Sequence, residues 1–426
     1  QSSSVSAGVP DGKNITVGGM LTVATSNNTT ASVTTDGTAV GDALAAVGIG
    51  AAVAVNVVHT NNDATLGNGT TTAGSINISA LKFDVAKLMV GDPATAVTDT
   101  YLASATSGAG SSSVGLAGSL ALNLVDTQSQ ASIAGDAIVT LTGGDLTLAS
   151  NNQTNSTATA VPDETGAAGG KVGVGASVTL NIIANRSTAT LGDDAVLTGA
   201  GDITLSATSV HEVTTTAEAG SEGGISITPV VALSMINNTT TAELGSLVSG
   251  VTATGNVTIS ASQQAITTTV AKGQAAGGTA AIGAALALSL VNDTVKATSR
   301  RDITTGGDVT LAAAGASLGT LTSEASASGG KAADESGDAE TGEDATVDET
   351  VDNRLTSARD QQSDAGVGDS EQQGDTDAAV ADKHSAETEE GKVTVAAAVA
   401  VNIQNATVTA NVPNAIDISA PTGALK

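Results

Sequence analysis

One short phrase recurs six times along the 426-residue chain, and it constrains the fold more than any other feature. It reads GMLTVAT from Gly19, GSINISA from Gly74, GDLTLAS from Gly144, GDITLSA from Gly201, GNVTISA from Gly255 and GDVTLAA from Gly307. The steps between these glycines are 55, 70, 57, 54 and 52 residues. Self-similarity at such a period marks a chain built from stacked units, each too small to bury its own apolar face.

A second kind of segment follows each phrase. Its copies are AVAVNVV (52–58), SLALNLV (119–125), SVTLNII (177–183), VVALSMI (230–236), ALALSLV (285–291) and AVAVNIQ (398–404). All alternate with period 2, which predicts strands. In the third copy the large series is Val172, Val174, Ala176, Val178, Leu180 and Ile182. The opposite series is Gly173, Gly175, Ser177, Thr179 and Asn181. The alternation predicts that the large series faces a core. The small series then forms a flat, nearly uncharged outer face, which we expect to pack on another sheet, of a neighbouring subunit or of the same chain.

The two halves of a long repeat also resemble each other. LTLASNNQTNSTATAV (146–161) can be laid on VTLNIIANRSTATLG (178–192). The inferred unit is about 27 residues: strand, polar corner, Thr-rich strand, Gly corner. The expected fold is all-β, a parallel β-solenoid (β-helix) of about a dozen coils, at ~4.8 Å per rung roughly 60 Å long. An antiparallel sandwich is the alternative, but its strands would not repeat so closely.

Composition agrees. With one Phe, one Tyr and no Trp, the core must be Val, Ile, Leu and Ala. The formal charge of −28 argues against nucleic acid as a partner. Without cysteine there are no disulfides and no thiol chemistry. No apolar run reaches the ~18 residues of a transmembrane helix. The chain opens on Gln1 rather than Met, as a processed or excised segment would.

The rhythm stops from Gly330 to Gly391, where 19 acidic residues stand against 4 basic ones. The expected organisation is therefore solenoid repeats over 1–329, an acidic insertion at a coil corner over 330–391, and final coils over 392–426. Helical spacing of Val347, Val351, Leu355 and Ala358, and the composition of 377–390, predict a partly helical insertion. Within it, DSEQQGDTDAAV (369–380) has oxygen ligands at calcium-loop positions 1, 3, 5, 7 and 9 and Gly374 at position 6. Position 12 is Val380 instead of a bidentate Glu, so no cofactor or dedicated metal site is expected, and at most weak divalent-cation binding to the insertion.

Catalytic chemistry is not visible. His59, His211 and His384 stand apart from any nucleophile motif and read as surface histidines. No catalytic, cofactor-binding or metal-ligating residue is assigned. Asp145, Asp202, Asn256 and Asp308 follow the phrase glycine, but without the tandem spacing of calcium-binding nonapeptides. Thirteen Asn-x-Ser/Thr sequons among 23 Asn point either to glycosylation or to the polar corners themselves. Thr runs such as TNSTATA and VTTTAE lack a strict T-x-T register, which disfavours ice or carbohydrate binding by a flat Thr face.

The alternation of these two phrase types, with Asn56 to Ala64, Asn181 to Leu191 and Ser234 to Leu244 as matching stretches, resembles the strand repeats of very large bacterial surface proteins. The style is similar to that of fusobacterial leukotoxin and filamentous adhesins, and more loosely to filamentous haemagglutinins. The resemblance covers nearly the whole chain outside 330–391. It implies a secreted, cell-surface β-solenoid, and no catalytic residue carries over. The expected function is a non-enzymatic extracellular structural protein, self-assembling end to end and by sheet-face packing into a fibre, sheath or layer. The alternative is a filamentous-adhesin stalk that meets a cell-surface receptor or glycan.

Overall fold

The computed structural model describes residues 1–39, 45–82, 97–329, 383–388 and 393–426, with the side chains of 164, 165 and 383–388 left aside. Every regular element among the described residues is a β-strand, and all are joined in one hydrogen-bonded network of parallel pairs. Each strand pairs with its equivalent one long repeat away. Leu21 pairs with Ile76, Ile76 with Leu146, Leu146 with Ile203, Ile203 with Val257, and Val257 with Val309. In the second segment, Val53, Leu120, Val178, Val231, Leu286 and Val399 form one column. The register therefore advances by a full long repeat per rung. The 27-residue unit expected from the sequence is half a pass of the chain, so the passes number about half of the dozen expected.

The half-unit has a structural meaning. Within the strand Leu146–Leu191 the chain bends at 162–170, and its two arms face each other in opposite directions. Ser150 Oγ meets Ser187 Oγ at 2.8 Å, and Ser156 Oγ donates to Asn181 Oδ1 at 3.1 Å. Two parallel sheets, one from each arm, thus enclose a thin interior. At the 162–170 end the backbones nearly touch. A Cβ on Gly175 would lie 2.3 Å from the carbonyl oxygen of Gly220. At the other end the gap widens, and Leu148, Leu191, Leu197, Leu205 and Leu244 fill an aliphatic core. Arg301 is fully buried near this end, and its guanidinium donates to the carbonyls of Gly192, Ala195 and Gly245.

The recurring phrase makes the corner on that side. The N–H of Gly144 donates to Gly74 O at 3.1 Å, that of Gly201 to Gly144 O at 2.8 Å, and that of Gly255 to Gly201 O at 2.9 Å. The next residue caps the rung that follows. Asp145 Oδ1 accepts from Asp202 N at 2.8 Å, Asp202 Oδ1 from Asn256 N at 2.6 Å, Asn256 Oδ1 from Asp308 N at 2.9 Å, and Asp308 Oδ1 from Ala424 N at 2.8 Å. A Cβ on Gly255 would sit 2.0 Å from Asp202 Oδ1 and would push the cap aside, and one on Gly307 would lie 2.6 Å from the backbone oxygen of Gly255. Ala424 thereby receives the cap of a seventh corner, in which the N–H of Gly423 donates to Ala420 O and not to the preceding glycine.

Two further expectations are corrected. Lys383–Thr388, placed in the insertion and within a helix-forming stretch, is a strand paired with Thr322–Ala327. The remainder of the insertion, including the calcium-like stretch 369–380, lies outside the described residues. The second correction concerns which side of the long strands faces inward, and it defines the site.

Candidate functional site

In the strand Val47–Leu66, burial alternates opposite to the expectation. Gly48, Gly50, Ala52, Ala54 and Asn56 are buried, while Val47, Ile49, Val53, Val55 and Val57 are exposed. The other copies follow. Ala121, Thr179, Ala232 and Ala287 are fully buried, whereas Leu124 and Met235 remain 42% and 41% exposed. The small-residue face does pack on a sheet of the same chain, and that packing is the interior. The reason is the gap width. Asn181 Nδ2 reaches Thr214 O on the opposing arm at 2.8 Å, and Thr179 Oγ1 reaches Thr216 O at 2.8 Å. Most inward side chains in this narrow space are Ala, Ser, Thr or Asn, with Leu321 and Val230 as buried exceptions.

The large aliphatics consequently form an outer field. Register places Val47, Val114, Val172, Ile225, Ala280 and Val393 in one column, and Val55, Leu122, Leu180, Leu233, Leu288 and Val401 in another. Between them run the columns through Ile49, Ala51 and Val53, and beyond them the column through Val57. This six-by-six array contains no charged or hydrogen-bonding side chain. An open groove of about 570 Å³ crosses its edge, between Val57, Leu124, Ile182, Met235 and Leu290 and a polar column that includes His59, Asp126 and Asn292.

The outer face of the first arm is different. Thr157, Thr214, Thr268 and Thr320 stack in one column, and Thr147, Thr204, Thr258 and Thr310 in another. The column beside the first breaks at Val270, between Thr216 and Thr322. The Thr runs are therefore better aligned across rungs than within any one strand.

The interior is polar in ladders. Thr127 Oγ1 donates to Asn185 Oδ1 at 2.7 Å, Asn185 Nδ2 to Asn238 Oδ1 at 2.8 Å, and Asn238 Nδ2 to Asp293 Oδ1 at 2.8 Å. Asn27, Asn152, Asn185 and Asn238 all belong to sequons and are buried and hydrogen-bonded, so part of the sequon excess serves the fold. A buried ion pair joins Lys82 to Asp99, and Tyr101 donates to the same carboxylate oxygen at 2.9 Å. Burial pulls the Lys82 ammonium down and pushes the Tyr101 hydroxyl up.

The histidines divide. His59 is at the surface beside Asp126, at 3.2 Å, as expected. His211 contradicts the surface reading: it is buried, its Nδ1 lies 2.8 Å from Thr154 Oγ1, and burial with the nearby Lys82 charge lowers it to about 3. The side chain of His384 lies outside the described residues. Sequence reasoning missed the apolar outer field and the buried His211. The signal for the field was the opposing arm, whose inward series Ser150, Asn152, Thr154, Ser156, Ala158 and Ala160 is small as well.

No protein family, curated protein or solved structure matches the chain.

Proposed function

We propose that the chain is a β-solenoid and a non-enzymatic structural module of an extracellular fibre, sheath or layer, working by self-association. The solenoid reading is supported by register: each pass pairs with its equivalents before and after it, and the Gly–Asp corner recurs once per pass. The observation that carries the function is the six-by-six apolar field on a rigid sheet. Monomeric soluble proteins rarely expose a continuous apolar patch beyond ~300–600 Å². Five rung spacings by ten residues make this field roughly 800 Å². A surface of this kind is built to lie against another surface. The extracellular setting is supported by the resemblance of the repeat phrases to those of bacterial surface proteins.

Negative-stain electron microscopy of the native material tests the reading. Long unbranched fibres or sheets are expected. Dispersed single rods contradict self-assembly and favour the adhesin stalk.

A further inference from the structure

We infer that the partner of the apolar field is a second copy of this chain, packed field to field as an isologous sheet pair. This rests on the self-assembling reading above and specifies where the contact forms. The field of roughly 800 Å² matches the area each partner contributes to a standard stable interface, ~800 Å². Its relief repeats at about 4.8 Å between rungs and about 6.6 Å along a strand, with one shallow trough along the column of Ala51, Gly118, Ala176, Pro229, Ala284 and Ala397. A second field has the same relief, so the ridges of one copy fit between those of the other, as in face-to-face sheet packing.

Charge selects the same partner. The chain carries −28, yet the field carries no charged side chain, so a field-to-field contact buries no like-charge pair. An acidic chain is repelled by anionic lipid surfaces, which disfavours a membrane as the occupant. At one edge the boundary fits an interface rim: the apolar columns end at His59, Asp126, Ala184, Asn237, Asn292 and Asn405, a column that is polar at every rung but one. The opposite outer face, with its Thr columns, has no such field.

The test uses the whole chain. Sedimentation equilibrium should give twice the single-chain mass of 40.8 kDa. The triple variant Leu122→Glu/Leu180→Glu/Leu233→Glu should sediment as one chain with an unchanged circular dichroism spectrum. Because the chain has no cysteine, single replacements give a second, fold-neutral readout. Leu122→Cys, Leu180→Cys and Leu233→Cys should cross-link into pairs with a short bis-maleimide, and Thr214→Cys on the other face should not. A wild-type monomer, a dimer that persists in the folded triple variant, or cross-linking only through Thr214→Cys overturns the inference. So does a chain that stays monomeric and binds zwitterionic vesicles. Fibres in native material together with any of these results leave the structural reading standing and remove only this contact. A dimer without fibres does the reverse.

Discussion

Asn181 reaches across the interior and donates from Nδ2 to the backbone carbonyl of Thr214 at 2.8 Å, and to Thr215 Oγ1 at the same distance. One side chain thus ties one sheet to the backbone of the other. Its column holds Asn56, Asn123, Ser234, Ser289 and Asn402, so a short polar group bridges or lines the gap at every rung. Asn181→Ala leaves buried acceptors without their donor and should destabilise the chain by about 1–3 kcal/mol. Asn181→Leu should be worse, because it also overfills the gap. Denaturant unfolding of the two variants checks the order.

The corner ladder predicts a sharp contrast between neighbours. Asp202→Asn keeps an acceptor oxygen for the Asn256 N–H, and Asn256 itself already does this for Asp308. It should melt near the wild type. Asp202→Ala removes the cap and should cost ~1 kcal/mol, as loss of a backbone-capping side chain does at helix ends. Gly307→Ala should be the most damaging, since its Cβ would lie 2.6 Å from the backbone carbonyl oxygen of Gly255 as well as from Asn256 Oδ1. Thermal melts of the three variants should fall in that order.

His211 makes stability depend on pH. Its usual value is 6.5, and burial first, then the Lys82 charge, holds it at about 3 in the fold. The unfolded chain takes up a proton below about 6.5 that the folded chain refuses until about 3. Stability from this group is therefore complete above the upper value and declines as pH falls through the window, by on the order of 5 kcal/mol at its foot. His211→Gln should flatten the dependence of the unfolding free energy on pH between 6.5 and 4. An equally steep slope in the variant would show that other groups govern it.

The repeat period and the corner glycines were legible in the sequence, because each is written once per pass. Gly144 bonds to Gly74 and Gly201, the corner glycines on either side of it. The pairing partners were not legible, since a 27-residue coil would pair the two halves of a repeat, and the strands pair instead with their equivalents one long repeat away. The direction of the long strands' faces was not legible. Hydrophobicity alone turns Val178 and Leu180 inward, and a one-residue error of this kind reverses every side chain. The deciding quantity is the distance between two sheets, fixed where Gly175 meets Gly220. That contact belongs to a pair of residues 45 apart in sequence, and no single segment carries it. His211 was misread for a similar reason: its surroundings are Thr154 and Lys82, from other passes of the chain. The strand Lys383–Thr388 was hidden by helix-forming composition that pairing with Thr322–Ala327 overrides.

Two adjacent residues decide the central claim, that the long strands bury their small side and expose their aliphatic side. Thr179 is fully buried and bonds to Thr216 O, while Leu180 lies in the outer field. The measurement is the melting temperature of Thr179→Asp and Leu180→Asp, followed by circular dichroism at high dilution, where association contributes little. The account predicts that Thr179→Asp loses several kcal/mol or fails to fold, because it places an unpaired charge between the sheets. Leu180→Asp should melt within a few degrees of the wild type. Collapse of Leu180→Asp beside a stable Thr179→Asp would contradict it.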